Sequence, residues 1–293
     1  MESKGTLILI GMPLGNADDI SLRAKERLAA VDLLLCEDTR VSGRQLGQLG
    51  IQVPLLSYHQ HNEASREQDI IARLKAGDTI GLVTDAGMPA ISDPGSRLVA
   101  ACVKEGIVVT AVPGPSAGIT ALALSGLDSR RYLFEGFLAP KGAERKARLA
   151  YIAGFPHTIV LYEAPHRLVR TLNDLAAAGL GDRKLAIARE LTKRYEEVLY
   201  LTVRDAILMY EDAPIRGEFV LVLEGKDAFH QRVPEQRDED KADEDIEQFI
   251  REQLQAGQKK TAIRKALEAR FGMTRNDAYD LVLSVEQDRD MLE

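Results

Sequence analysis

The chain has 293 residues, a formal net charge of −7, 45% hydrophobic residues and 28% charged residues. This length suits two or three globular domains, and the lack of a secretory signal or of an apolar run near the roughly 20 residues that cross a bilayer predicts a cytoplasmic protein. The acidic balance excludes a general attraction to nucleic acid, so any RNA binding would depend on local basic patches. The absence of tryptophan argues against an extended base-stacking platform.

Short apolar runs alternate with amphipathic segments over the first part of the chain, which predicts a mostly parallel sheet covered on both faces. We predict strands at 6–10, 32–38, 79–85 and 106–112, and helices at 18–31, 42–50, 63–77 and 96–105. Asp93 is a suitable N-cap for the last of these helices, and Pro94 suits its first position.

Three loops rich in glycine and proline follow predicted strands: "GMPLGN" at 11–16, "TDAGMP" at 84–89 and "PGPSAG" at 113–118. In an open α/β sheet, loops at the carboxyl ends of strands line the ligand crevice. The spacing matches neither a dinucleotide fingerprint nor a P-loop. Loops that offer backbone groups and little positive charge favour a bulky ligand, such as an adenosine carrying an amino acid, over a triphosphate.

A second α/β series follows, with predicted strands at 131–137, 157–164, 184–192, 196–203 and 217–225. From residue 246 onward the pattern is helical and is typical of a small bundle of about three helices. We therefore divide the chain into domains 1–115, 116–229 and 230–293, the last beginning with an acidic linker at 235–247. The basic run at 259–275 fits a phosphate-binding patch and an ordinary solvated helix face equally well.

Charged side chains cluster where three predicted strands end, and each cluster has a structural alternative. "CEDTR" at 36–40 fits either a site or an ion pair with a helix cap, and "YEAPHR" at 162–167 fits either a site or a helix that Pro165 starts. "ARELTKRYEE" at 188–197 adds Arg189, Glu190 and Lys193. Three such clusters favour substrate contact for some of these residues.

Cysteine and histidine give no metal signal. Cys36 and Cys102 lie in apolar surroundings and are interpreted as core residues, while His59 and His61 are interpreted as polar loop residues, with a metal site a minor alternative. We predict no metal site.

The motifs taken together resemble a known family. "GMPLGNADDIS", "CEDTR", "GLVTDAGMPAISDPG", "VPGPSAGITALALSGL", "FEGFLAPKG", "LYEAPHRL", "ARELTK" and "GEFVLVLEG" run in order from residue 11 to 225. They are similar to the bacterial ribose 2′-O-methyltransferases of small-subunit ribosomal RNA, within the tetrapyrrole-methylase-like class of S-adenosylmethionine enzymes. The resemblance implies two α/β domains with the cofactor S-adenosyl-L-methionine between them, a helical tail, a homodimer, and methylation of cytidine 1402 of 16S rRNA in the small ribosomal subunit.

The resemblance also assigns residues to the cofactor. The positions that match the family's cofactor loops and strand end are Pro13, Gly15, Asn16, Asp85, Ala86, Gly87, Pro89, Pro113, Gly114, Ser116 and Tyr162. Met12 and Met88 stand where family members usually carry threonine. Any hydrogen bond from those two hydroxyl groups would be lost, whereas backbone contacts would survive.

Methyl transfer to a ribose hydroxyl requires a proton acceptor, because this hydroxyl is a weak acid. Glu163 and Asp38 rank first as this base, ahead of Glu37, Asp85, His166 and Glu190. A developing alkoxide would be stabilised by cations, for which the candidates are Arg40, Arg167, Arg189 and Lys193. The basic residues expected to bind RNA are Lys141, Arg145, Lys146, Lys259, Lys260, Arg264 and Lys265.

Two other functions fit less well. One is a methylase acting on a tetrapyrrole or a modified amino acid, which would need neither the "EDTR" segment nor the basic tail. The other is a non-catalytic RNA-binding or assembly factor that keeps the fold without turnover.

Overall fold

The computed structural model describes residues 5–211, 214–233, 239–256, 258–271 and 273–290. The chain divides into two compact units, residues 1–229 and 230–293. The first part of the acidic linker, 235–238, lies outside the described residues. No helix among the described residues is both long enough and apolar enough to span a bilayer.

The strands are Thr6–Ile10 (β1), Leu33–Cys36 (β2), Leu55–Ser57 (β3), Thr79–Leu82 (β4), Val108–Val112 (β5), Tyr132–Phe137 (β6), Thr158–Glu163 (β7), Lys184–Arg189 (β8), Glu197–Thr202 (β9) and Phe219–Leu223 (β10). The helices are Leu22–Ala30 (α1), Thr39–Gln48 (α2), Glu63–Lys75 (α3), Ser96–Lys104 (α4), Ala117–Leu124 (α5), Gly142–Gly154 (α6), Leu168–Leu175 (α7), Val203–Tyr210 (α8), Lys226–Arg232 (α9), Glu239–Gln255 (α10), Lys260–Phe271 (α11) and Arg275–Asp290 (α12).

The first sheet has the order β3-β2-β4-β1-β5, and every pair in it is parallel. Successive side chains of β1 enter two different cores, with Leu7 on one face and Ile8 on the other. This is the burial expected of a parallel sheet covered by helices, as the alternating pattern predicted. β3 was not predicted, because three residues are too few to show a period.

The second sheet is mixed, with the order β6-β7-β10-β8-β9. β6 and β7 are parallel, whereas β10 lies antiparallel between β7 and β8. Phe219, the first residue of β10, pairs with both Glu163 and Arg189, the last residues of β7 and β8. The beginning of β10 therefore reaches the same edge of the sheet as the ends of β7 and β8.

The helix starts follow local chemistry. The Ser21 side chain accepts from the backbone of Ala24 to cap α1, and Thr202 and Asp205 form a capping box at α8. The predicted N-cap of α4 is wrong. The N-cap is Gly95, whose φ of 128° suits only glycine, and Asp93 lies before the helix in an irregular turn.

The second unit packs the three helices α10, α11 and α12 around one apolar cluster, in agreement with the predicted bundle. The buried members of that cluster are Ile250, Ile263, Leu267, Ala278, Val282 and Val285. Two α/β sheets followed by a helical tail confirm the predicted fold class.

Candidate active site

A cavity of about 360 Å³ lies between the two sheets, within the first unit. Its wall contains loop residues of the first sheet, among them Glu37, Asp85 and Asp93, and strand residues of the second, among them Tyr162 and Glu163. We call the three acids Glu37, Asp85 and Asp93 with their loops the first rim. The strand ends that carry Glu163, Glu190 and Glu218 are called the second rim, in which Glu163 and Glu218 line the cavity and Glu190 lies beside it, outside the wall.

The loops of the first sheet meet through their backbones. Met12 and Gly87 exchange two hydrogen bonds, Met12 N to Gly87 O at 2.8 Å and Gly87 N to Met12 O at 3.1 Å. Gly11 and Gly114 approach so closely that a Cβ on Gly114 would lie 2.7 Å from the Gly11 Cα. Loops after β1, β4 and β5 are therefore held together without charged side chains.

Met88 supplies a sulfur acceptor between two of these loops. The Gly114 amide donates to the Met88 Sδ at 3.3 Å, while Met12 is fully buried in the core. The link between the loops after β4 and β5 is thus kept by a thioether, which is a weak acceptor and a good packing group.

Only part of the predicted cofactor set lines the cavity. Asp85, Ala86, Gly87, Ser116 and Tyr162 are in its wall, whereas Pro13, Gly15, Asn16, Pro89, Pro113 and Gly114 are not. Sequence reasoning missed much of the rest of the wall, namely Leu14, Ile91, Ser92, Asp93, Ala117, Phe137, Pro165, Ala188, Leu191, Glu218, Phe219 and Val220.

The first unit has two halves, the first carrying sheet β1–β5 and the second carrying sheet β6–β10. Gly15 and Asn16 contact the second half instead of the cavity. The Asn16 amide donates to Thr192 Oγ1 at 3.1 Å, and a Cβ on Gly15 would lie 2.2 Å from Lys193 Cγ. The 190–193 turn carries Glu190 and Thr192 at positive φ, 50° and 64°. This strained turn connects the two halves through its contacts with Gly15 and Asn16.

Tyr162 is fixed at the end of β7 by three neighbours. Its hydroxyl accepts from the Gly118 amide at 3.0 Å, and its ring stands edge-on to Phe134 at 5.2 Å and to Phe137 at 5.6 Å. Burial raises the pKa of Tyr162. Phe137, by contrast, is 52% exposed although it lines the cavity.

The Glu163 carboxylate has little capacity left for a substrate. One oxygen accepts from the Ala164 amide at 2.9 Å and lies 3.1 Å from Arg167 Nε, while the other accepts from Thr171 Oγ1 at 2.5 Å. The Thr171 hydroxyl in turn accepts from Arg145 at 2.9 Å. Glu163 therefore anchors the end of β7 to the helices behind it.

Arg145 is not an exposed RNA ligand, which corrects the prediction. It is buried, and its guanidinium donates to Asp174 at 2.7 Å and to the Ala139 carbonyl at 3.0 Å. Lys141 and Lys146, predicted with it, are exposed.

Asp38 forms the ion pair and helix cap that were given as the structural alternative for segment 36–40. It is the N-cap of α2, accepting from the Arg40 amide at 2.8 Å, and it pairs with the Arg40 side chain. These hydrogen bonds from Arg40 hold the pKa of Asp38 well below its usual range. Neither residue lines the cavity.

The other predicted groups of the second half are also engaged or remote. Glu190 accepts from Lys193 Nζ at 2.9 Å and from the Glu218 amide at 3.0 Å, and Arg189 donates to the Arg216 carbonyl. His166 is exposed on the short 3₁₀ helix Pro165–Arg167, outside the cavity wall.

The three acids of the first rim all have raised pKa values. Burial raises the pKa of Asp93 to about 6, with Glu37 and Asp85 adding to the rise, and burial likewise raises the pKa values of Glu37 and Asp85. Asp85 Oδ1 is buried with no hydrogen-bond partner among the described residues. Unneutralised acids in a cavity favour a ligand that carries positive charge.

The side chains of the cavity wall fit S-adenosylmethionine. No lysine, arginine or histidine is among the described residues of the cavity wall, so a polyphosphate is disfavoured, whereas a sulfonium and an ammonium would complement the three acids. No group of three metal-ligating side chains suited to a metal ion exists among the described residues.

The basic side chains of the tail are partly engaged. Lys259 and Lys265 are exposed, whereas Arg264 pairs with Glu268. Arg270 lies over the rings of Phe249 and Phe271. The free basic charge of this unit is therefore smaller than the sequence alone indicates.

Comparisons with known proteins place the chain among methyltransferases in sequence and in fold. Residues 6–207 match the family model described as tetrapyrrole (corrin/porphyrin) methylases. The chain is 41% identical over 284 residues to the ribosomal RNA small subunit methyltransferase I of Synechocystis, covering 97% of this chain and 99% of that protein. It is 40% identical over 283 residues to the Bacillus subtilis protein of the same name, covering 94% and 93%. A cobalt precorrin-4 methyltransferase structure superposes with a TM-score of 0.57 at 18% identity, over 75% of this chain and 94% of that one, which supports the fold.

Proposed function

The chain belongs to the tetrapyrrole (corrin/porphyrin) methylase family, and from this premise we infer that it methylates small-subunit ribosomal RNA with S-adenosyl-L-methionine as donor. The observation that carries the proposal is the cavity between the sheets, because its acidic rim and backbone loops suit a cationic adenosine ligand. Relatives that match over nearly the whole chain and bear the rRNA methyltransferase name favour RNA over a tetrapyrrole.

The cofactor would be held by the first rim. Asp85, Ala86 and Gly87 would contact it from the loop after β4, and Ser116 and Tyr162 would contact it from the two sides of the cavity. When bound, the donor supplies an activated methyl group, and the protein supplies alignment. The Met12–Gly87 bridge keeps the loop in place before the ligand arrives.

We propose that the RNA nucleoside approaches past Ile91 and Phe137. These side chains belong to the two opposite halves, both line the cavity, and both are at least half exposed. An exposed aromatic ring in a ligand cavity offers a stacking surface for a nucleobase. Lys141 and Lys146, exposed on the loop and helix that follow β6, would attract the RNA backbone.

The finer assignment follows the sequence resemblance. We propose that the acceptor is the ribose 2′-hydroxyl of cytidine 1402, that the enzyme acts as a homodimer, and that it works in the cytoplasm. The exposed Lys259 and Lys265 of the tail support a further role for that unit in RNA capture.

The test is to incubate the purified chain with methyl-labelled S-adenosylmethionine and small ribosomal subunits. Label should enter 16S rRNA and remain on a 2′-O-methylated cytidine after nuclease digestion. A Lys259→Gln, Lys265→Gln double variant should raise the KM for subunits at moderate salt and leave donor affinity unchanged. Label in a small molecule would instead indicate a tetrapyrrole-type methylase, and no label would indicate a non-catalytic RNA-binding factor.

A further inference from the structure

A proton acceptor is still missing from the site. This inference rests on the proposed function, since transfer of a methyl group to a hydroxyl releases a proton. The two bases that ranked first in the sequence are both occupied, Glu163 by Arg167 and Thr171 and Asp38 by Arg40. An acceptor should instead line the cavity with a free carboxylate.

Asp93 is placed in the cavity wall by an unusual turn. Ala90 and Ser92 have φ values of 68° and 60°, a conformation that costs non-glycine residues free energy. The turn reaches the second sheet, because Ser92 Oγ lies 2.7 Å from where a Cβ on Gly136 would be. Strain of this kind is typical of functional segments, and here it holds a carboxylate at the junction of the two halves.

The surroundings of Asp93 leave its carboxylate available. The groups that face it are Glu37 and Asp85 from the first rim and Tyr162 from β7, and Glu163 and Glu218 line the same cavity. Among the described residues, none makes a hydrogen bond or an ion pair to the Asp93 side chain. With a pKa of about 6, the group is ionised at neutral pH and still basic enough to accept a proton.

We propose that Asp93 is the general base that accepts the proton of the attacking hydroxyl. The hydroxyl O–H bond breaks and its proton passes to the Asp93 carboxylate, while the oxygen forms a bond to the methyl carbon. The bond between that carbon and the donor sulfur breaks, and its electron pair stays on the sulfur. Charge balances, since a sulfonium and a carboxylate become a thioether and a carboxylic acid.

The kinetic test compares wild type, Asp93→Asn and the exposed-site control Asp69→Asn in single-turnover methylation of small subunits between pH 5 and 8.5. The wild-type rate should rise with pH and level off at or below about 6, because a bound cation favours the ionised carboxylate. At saturating donor, Asp93→Asn should slow the step by about 10²- to 10⁴-fold and abolish this rise. Asp69→Asn should behave as wild type.

A second readout needs no substrate or donor. Because folding raises the pKa of Asp93 from its usual value of 3.8 to about 6, the folded chain binds more protons than the unfolded chain in this window. Stability should therefore fall as pH rises from about 4 to 6, and Asp93→Asn should lose less stability than wild type over that range. Urea unfolding at several pH values measures this.

Two results would overturn the proposal. One is an Asp93→Asn enzyme that keeps the wild-type rate and pH profile. The other is a Glu37→Gln enzyme whose single-turnover rate no longer rises with pH, because Glu37 would then be the base instead of Asp93. If wild-type protein labels no RNA while the unfolding titration behaves as expected, the proposed function fails, and the assignment of Asp93 as a base fails with it.

Discussion

Both rims carry acidic side chains, but the surroundings of these acids differ. The acids of the second rim have hydrogen-bond and ion-pair partners, whereas those of the first rim face a cavity wall without a cation among its described residues. On the second rim, Glu163 and Glu190 are held by arginine, lysine and threonine side chains and by backbone amides. On the first rim, Glu37, Asp85 and Asp93 have raised pKa values because they are buried without a cation in the cavity wall. Position at a strand end is therefore not enough to identify a reactive acid, and the partners behind it decide its role.

The largest expected effect comes from the backbone contact beside the first rim. Gly114→Ala places a methyl group 2.7 Å from the Gly11 Cα, where only backbone can move aside, so we expect a loss of about 3 kcal/mol in unfolding free energy and of donor binding. Gly47→Ala, in helix α2 with open space around it, should instead gain about 1 kcal/mol. Urea unfolding and calorimetric titration of S-adenosylmethionine measure both. Normal donor binding by Gly114→Ala would show that this junction does not shape the first rim.

A matched pair of substitutions tests the two rims directly. Glu163→Gln removes the charge that Arg167 and Thr171 contact and should cost about 2 kcal/mol at pH 7.5. Glu37→Gln removes a carboxylate whose pKa is raised by burial and by Asp85, so it should cost nothing or stabilise the chain slightly. Equal losses in urea unfolding would remove the distinction between the rims.

The smallest expected effect concerns the exposed side of the cavity. Phe137→Ala should raise the KM for small subunits about tenfold, because one stacking contact is lost, with little change in the rate of bound complexes. Since the chain contains no tryptophan, Phe137→Trp introduces a single reporter whose fluorescence a stacked nucleobase should quench. Tyr132→Trp, on the same strand but outside the cavity wall, is the control. Equal quenching of the two reporters would argue against a nucleobase at Phe137.

The fold could be predicted because burial leaves a period in the sequence. β1 and β4 are short apolar runs bounded by turn residues, and the tail shows a helical period over its length. The direction of β10 could not be predicted, since an isolated apolar run carries no information about strand orientation. Its reversal is what brings Glu218 and Phe219 to the cavity.

The site was predicted less well because the deciding partners are distant in sequence. Arg145 looks like a surface cation until Asp174, 29 residues later, is seen beside it in the fold. Asp93 looks like a helix cap because Asp-Pro is a common helix start, yet the following Gly95 takes that position. The loop after β4 was identified correctly as cavity wall because the residues that indicate it, among them Gly87 at positive φ, lie within the loop itself.

The antiparallel placement of β10 has an evolutionary consequence. In a purely parallel sheet, segments that precede strands lie on the side away from the ligand, and length changes there leave the site alone. Here residues 214–218, the described part of the connection that precedes β10, lead into the cavity edge through Glu218. Insertions and deletions in this one connection would alter ligand choice without touching the donor loops, so descendants of this architecture could acquire new acceptors through it.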